Sequence, residues 1–426
     1  VIAFWISLPL ELRLLLLAVL GLMGGALANH MVYTFAYFNP RPISPWGRPA
    51  DEAPPRRSWD RIPLIGWLGL SRESSIHGTG FWIRPLLIEL STAVLMMWLY
   101  WFVTEFGGLL PANLRTPRIL EIYEPIATVM FAVHAMLMVL LIAATFIDFD
   151  EQTIPDAITI PGTLIALACA SFTIQHALPT AVPVGRLAQD AELTTFDSPW
   201  FLIPNVWHDR QGLLTGLAIW TIWCVALCDR RWSGVIVRRR GLARAIRHLI
   251  NGMFHDGFWK VLAALAICGG IGILVVWRMG GSHWQGLFTA LVGLAVGGGV
   301  IWSIRIVASL ALDKEAMGFG DVTLMAMIGA FVGWQAAVLA FFLSPFAAIL
   351  IVLARYVVTR DAYTPYGPYL CAGTALTIVY WDRLYNQSLA PPLLELGPAL
   401  LWLSIGLLGL MAVMLFVWRL IKNSFL

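Results

Sequence analysis

The chain has 426 residues, 59% of them apolar and only 12% charged, with a mean hydropathy of +0.77 and a net charge of +3 at pH 7. Soluble domains carry about 25% charged residues, so a water-soluble fold is excluded, and the small net charge gives no nucleic-acid partner. The cysteines Cys169, Cys224, Cys228, Cys268 and Cys371 form no C-x-x-C pair, which excludes a disulfide framework or a thiolate zinc site as the organising device.

A spanning helix needs roughly 20 mostly apolar residues. In chain order the predicted segments are 13–37, 84–106, 125–148, 154–176, 212–228, 258–277, 286–312, 321–333, 336–357, 368–381 and 398–420. The first apolar run lacks a basic leader and a small-residue cleavage site, and is read as a spanning segment rather than a signal peptide. The short segments 321–333 and 368–381 are candidates for tilted or re-entrant helices, which are tolerated where the backbone is buried in protein or lines a wet cavity. The expected fold is therefore an all-α polytopic membrane protein of about eleven transmembrane or re-entrant helices. A cytoplasmic loop domain follows the first helix.

Loop charge sets the expected orientation. Residues 38–83 carry Arg41, Arg48, Arg56, Arg57, Arg61 and Arg72, and residues 229–257 carry a second arginine-rich run. By the positive-inside rule both are cytoplasmic. The stretches 107–124 and 177–211 are poor in net positive charge and read as outer. Val235–Asn251 has the composition of a basic helix lying on anionic headgroups, or of a solvated cytoplasmic face.

The chain divides in sequence into five parts. They are 1–106 with the first loop, 107–176, an insertion at 177–285 with two extra helices, 286–381, and a C-terminal helix at 382–426. Tryptophans near segment ends read as interfacial belts, and Gly297-Gly298-Gly299 as a point of close helix packing. His134 reads as a core residue, His248 and His255 as loop residues, and no metal site is expected.

Ionisable residues at helix ends inside a bilayer are costly to keep and so are functional candidates. Asp148, Asp150 and Asp156 lie between two apolar runs, and Gly318-Phe319-Gly320-Asp321 opens another. Gly318 and Gly320 allow close approach of backbone or substrate, and a carboxylate at a helix start meets free amide donors and the positive end of the dipole. Asp148 and Asp321 are expected on the same membrane face. Two neighbouring carboxylates share a proton, which supplies a general base and a general acid for hydrolysis. A lone G-x-G-D is a weak signal, since Asp321 alone reads equally as an N-cap.

The combination resembles the bacterial type IV prepilin peptidase family of G-x-G-D intramembrane aspartyl proteases. Its first phrase corresponds to Ile147-Asp148-Phe149-Asp150 with Ile154-Pro155-Asp156. Its second corresponds to Gly318, Gly320, Asp321, Leu324, Ala326, Gly329, Gly333 and Trp334. Asn29 after Gly25, the series Trp59, Ile62, Pro63, Leu64, Leu68, the phrase Glu89-Leu90 with Thr92-Ala93, and Pro365–Leu370 resemble further family phrases in order. The resemblance implies Asp148 and Asp321 as the catalytic pair, with Asp150, Asp156, Gly318 and Gly320 in support. It implies pilin-like precursors, with a basic leader and an apolar helix, as substrates, membrane lipids as surroundings, and a multi-pass location in the bacterial inner membrane. Proteolysis of this kind needs no cofactor.

The chain also departs from the family pattern. Ser44-Pro45-Trp46-Gly47 and Ser71-Arg72-Glu73-Ser74 stand where many relatives carry C-x-x-C, so zinc is not expected. Thr323 replaces a lysine after G-x-G-D, and the arginine that ends the first helix phrase is replaced around Thr34. Methyl transfer from S-adenosylmethionine, tied to the first loop in the family, is left open. Asp150, Glu151, Asp156 and Glu315 are candidate acidic partners for a basic leader. A proton-coupled transporter and a catalytically dead pilin-binding relative remain as alternative readings.

Overall fold

A computed structural model describes residues 1–36, 43–184, 188–198, 208–227, 258–312, 317–359, 365–396 and 399–425. The principal helices are α1 (Leu10–Thr34), α2 (Ile83–Thr104), α3 (Pro117–Glu151), α4 (Asp156–Phe172), α5 (Arg210–Ala226), α6 (Phe258–Met279), α7 (Gly281–Leu312), α8 (Phe319–Thr359), α9 (Gly367–Val379) and α10 (Ala399–Phe425). Among the described residues, seven helices are long and apolar enough to cross a membrane, and α4 and α9 are shorter apolar helices. The chain is an all-α polytopic membrane protein. Val235–Asn251, Glu315, Cys228, His248 and His255 lie outside the described residues.

The described residues form two compact units. The first comprises Val1–Gly162, Leu178–Glu192 and Ala340–Asp382, and the second Thr163–Ala177, Leu193–Leu339 and Arg383–Leu426. In the first unit α1 and α2 cross at backbone distance. A Cβ on Gly21 would stand 2.6 Å from Ala93 Cα, and one on Gly25 2.5 Å from Glu89 Cα. This small-x-x-x-small spacing lets two helices pack without a hydrophobic drive, because in lipid tight van der Waals contact replaces it.

One element absent from the sequence reading is a hairpin, β1 (Pro179–Val184) paired with β2 (Ala188–Leu193). Trp381 donates its indole N–H to the Pro179 carbonyl beside it at 2.6 Å. Among the described residues the tryptophan reading needs correction at five positions, since Trp223 and Trp284 are buried and three others more completely so. Trp67, Trp220 and Trp381 are fully buried rather than interfacial, and each N–H finds an acceptor, in Glu89, Ala266 and Pro179 respectively. A buried indole N–H usually has such a partner.

α8, which belongs to the second unit as far as Leu339, is two helical arms joined at Gly333, whose φ of 81° and ψ of 167° lie outside the helical region. A Cβ on Gly297 of α7 would be 3.2 Å from the Met325 carbonyl carbon and 3.5 Å from Ala337 Cβ. In a straight helix residues 325 and 337 would be about 18 Å apart along the axis. The chain therefore folds back at Gly333, as the separate predictions 321–333 and 336–357 anticipate. An L-residue rarely adopts that φ, so glycine is the residue that permits the reversal.

Side chains on either side of the reversal and on α7 hold segment 194–198 by its backbone. Trp334 Nε1 donates to the Phe196 carbonyl at 2.6 Å, Gln335 Nε2 donates to the Thr195 carbonyl at 2.6 Å, and the Phe196 N–H donates to Thr289 Oγ1 at 3.2 Å.

The tightest crossing in this unit sets Gly293 of α7 against Gly329 of α8, where an added Cβ on either would lie 2.0 Å from the other's carbonyl oxygen. Gly297 and Gly298 also face α8, but Gly299 has nothing within 4 Å of its Cβ position, so the glycine-run reading holds for two of its three members. Gly293→Leu is expected to destabilise the protein by about 3 kcal/mol or more through overpacking, whereas Gly299→Leu should stay within about 0.5 kcal/mol. Thermal unfolding in detergent compares the two; equal melting temperatures would contradict the crossing.

Candidate functional site

Asp148 lies in the last turn of α3. Gln152 ends that helix in the left-handed region at φ 56°, donating its N–H to the Asp148 carbonyl, and Pro155 precedes the start of α4 at Asp156. The glutamine turn and the proline explain why the chain breaks between the two helices. Asp148 is only 3% exposed. Its Oδ2 accepts the Gly367 N–H at 3.0 Å. Gly367 opens α9, so the carboxylate faces free amides and the positive end of that helix.

The approach leaves no room for a side chain. A Cβ on Gly367 would stand 2.5 Å from Asp148 Oδ2 and 2.8 Å from Ile154 Cδ1. Two phrases that are far apart in sequence, 147–156 and 365–370, thus meet in the first unit, and Tyr366 is joined to Ser344 by a 2.7 Å hydroxyl bond. The glycine is required for this contact.

Asp150, on the opposite side of that turn, is half-exposed. It is paired bidentately with Arg84 at 2.8 and 3.0 Å, and the guanidinium sits 4.8 Å from the Phe146 ring centroid. Asp150 was a candidate for engaging a basic leader; here it balances an arginine of the chain itself. Asp156 is the first residue of α4, where a carboxylate complements the helix dipole.

Asp321 lies in the second unit, as the third residue of α8 and 9% exposed. Its Oδ2 is 3.7 Å from the position a Cβ on Gly318 would occupy, so the carboxylate folds back over the G-x-G-D turn. Gly318 is exposed and Gly320 half-buried. Thr323, at the lysine position of the resembling family, turns its hydroxyl onto the Gly320 carbonyl at 3.1 Å.

The first loop is pinned to α1 and α2 by a buried acid. Glu89 accepts from the Leu64 N–H at 2.6 Å, Trp67 Nε1 at 2.7 Å and Asn29 Nδ2 at 3.4 Å. Pro63–Ile65 form a tight three-residue turn, with the Ile65 N–H donating to the Pro63 carbonyl, which places Leu64 at φ 63°. Such a backbone is costly and persists where surrounding contacts hold it. Sequence phrases noted only for their order are thereby joined in one hydrogen-bonded group.

Beyond this turn Arg72 pairs bidentately with buried Asp60 at 2.9 and 2.5 Å, and buried Glu73 is bound by Arg56. These contacts occupy the stretch Ser71–Ser74. Zinc takes thiolate, imidazole or carboxylate in tetrahedral array, and the one such group in this stretch, the Glu73 carboxylate, is engaged by Arg56. The residues do not fit zinc. Among the described residues no cluster of three or more His, Cys, Asp or Glu is placed to hold a metal ion.

The sequence reading passed over Arg13, Arg84 and Arg305, and noted Glu89 only as part of a family phrase. All four are ionisable residues inside apolar helices, and that alone is a signal of an important site. Arg13 is 7% exposed and bridges Tyr100 and Glu124 at 2.6 and 2.5 Å.

The type IV leader peptidase family matches residues 245–353, the stretch that contains Gly318, Gly320 and Asp321. The chain is similar to the prepilin leader peptidase/N-methyltransferase of Pseudomonas putida, at 31% identity over 109 residues, covering 25% of this chain and 38% of that protein. It is similar to the Pseudomonas aeruginosa protein of the same name at 36% over 98 residues, covering 22% and 34%, and to that of Escherichia coli at 29% over 96 residues, covering 22% and 43%. The chain thus spans less than half the length of these curated relatives. No solved structure matches.

Two outcomes test the geometry. Gly367→Ala should displace the Asp148 carboxylate and lower any Asp148-dependent activity by about a hundredfold, the cost of a misplacement near 1 Å. Wild-type turnover in that variant would contradict the contact. Arg72 holds the Asp60 carboxyl below its ordinary range. The loop's stability from this pair is therefore complete above the ordinary carboxyl range, and is lost as pH falls through the folded-state value. Limited proteolysis of the loop should accelerate on acidification in the wild type. In Asp60→Asn it should already be fast at neutral pH, with a flatter acid response.

Proposed function

We propose that the chain is an intramembrane aspartyl endopeptidase of the prepilin kind, acting at the cytoplasmic face of the bacterial inner membrane. The observation that carries this reading is a buried acid, Asp321, at the helix start within the stretch matching the leader peptidase family. A second buried acid, Asp148, ends an apolar helix and is held by a backbone amide.

In this reading Asp148 and Asp321 share one proton and one water molecule. The ionised carboxylate takes a proton from the water as its oxygen attacks the scissile carbonyl carbon. The protonated carboxyl gives its proton to the carbonyl oxygen, forming a neutral tetrahedral diol. Collapse of the diol breaks the C–N bond. One carboxyl protonates the leaving nitrogen and the other receives the proton from the diol hydroxyl, so the products are a carboxylic acid and a free amine.

The substrate class proposed is a pilin-like precursor with a basic leader joined to an apolar helix. The names of the similar proteins favour a second, separable activity, N-methylation of the new amine, for which S-adenosylmethionine would be the methyl donor. Transfer of labelled methyl groups to cleaved peptide tests that activity by itself.

Cleavage of a synthetic precursor by purified protein is expected to fall by a factor of about 10²–10⁴ in Asp148→Asn and in Asp321→Asn, the usual worth of a general acid or base. Cleavage that survives either substitution would remove this mechanism. Proton flux in vesicles, without cleavage, would instead favour a transporter.

A further inference from the structure

We propose that Arg305 is the positioning residue of the Gly318–Asp321 turn, fixing the start of α8 and supplying positive charge beside it. The proposal deepens the peptidase reading and, for its effect on cleavage, rests on it. Arg305 lies in α7 within an otherwise apolar run, and is 6% exposed. Its Nε–H donates to the Met317 carbonyl at 3.0 Å, and its guanidinium carbon sits 5.5 Å from the Phe319 ring centroid. The two contacts bracket Gly318, one on each side.

A cation near the C-terminal end of a helix complements the dipole, and that alone is a sufficient reason for many arginines. An arginine kept only for that purpose extends toward the headgroups and is exposed. Arg305 is instead withdrawn into protein, and two of its contacts fall on one turn. Such burial is costly in a membrane and calls for a specific return.

The return is geometric. Gly318 and Gly320 have no side chains to fix the backbone, so the turn that presents Asp321 is intrinsically loose. Tethering Met317 by its carbonyl and Phe319 by its ring removes that looseness on both sides of Gly318. Thr323 acts from within α8, on the Gly320 carbonyl; Arg305 acts from the neighbouring helix. Among these contacts it supplies a full positive charge at the turn.

The test uses the full chain in detergent micelles, with Arg305→Gln and Arg305→Lys compared by amide hydrogen exchange and by cleavage. The probe is a synthetic peptide with a lysine-bearing leader, a glycine and an apolar helix. In Arg305→Gln, exchange at residues 317–321 should rise about tenfold, as expected for local opening. Its kcat should fall by about ten- to a hundredfold with KM nearly unchanged, as for a misplaced reacting group. Lysine donates to a carbonyl and packs on a ring, so Arg305→Lys should restore most of both.

Unchanged exchange at 317–321 in Arg305→Gln would overturn the proposal. So would faster exchange throughout α7 and α8 in both variants, which is the mark of a general structural role. The exchange readout needs no turnover, so it stands even if Asp321→Asn still cleaves and the peptidase reading falls.

Discussion

A charged or strongly polar side chain in an apolar helix must be met inside the protein, because hydrocarbon offers nothing in exchange for lost water. Much of the architecture follows from that constraint. Glu89 is met by an amide, an indole and a carboxamide, and in being met it ties the first loop to α1 and α2. Arg13 is met by a phenol and a carboxylate, which joins α1, α2 and α3. Asp148 is met by the first amide of α9, and Arg305 by the carbonyl that precedes the G-x-G-D turn. Each polar group costs free energy to bury, and each defines one arrangement of helices where apolar packing alone would allow several.

Glycine supplies the complementary half. Where α1 meets α2 and α7 meets α8, the backbones approach so closely that no side chain fits between them. Such contacts give dispersion energy and shape in a medium without a hydrophobic driving force between helices. The same residue serves a chemical end at Gly367, where the missing Cβ lets an amide reach Asp148. It serves a conformational end at Gly333, where a positive φ turns the chain back. Segment 194–198, part of the outer loop in the sequence reading, is held at that turn by the Trp334 and Gln335 side chains.

The legibility of the sequence follows from these two devices. Long apolar runs are readable from composition, and the predicted segments at 84–106, 258–277 and 286–312 coincide closely with α2, α6 and α7. The start of α8 and the break after Ile147-Asp148 are readable because glycine, proline and aspartate act locally. The strand pair 179–184 and 188–193 was not, since Pro179-Thr180-Ala181-Val182 gives too short a strand pattern to stand out beside helices. Partnerships were not legible either. Nothing local says that Asp150 belongs to Arg84, or that Glu89 holds Leu64, because such pairs are set by tertiary packing. The buried arginines gave a usable signal in their rarity.

The proposed chemistry requires that Asp148 and Asp321 come within reach of a single water molecule in the folded chain. The most direct measurement replaces both by cysteine in a background with the native cysteines changed to alanine, and treats the protein in membranes with the shortest bifunctional thiol reagents. Rapid intramolecular cross-linking is expected, at a rate unaffected by dilution of the protein. Failure to cross-link, while each single cysteine still reacts with a monofunctional reagent, would contradict a shared aspartyl centre.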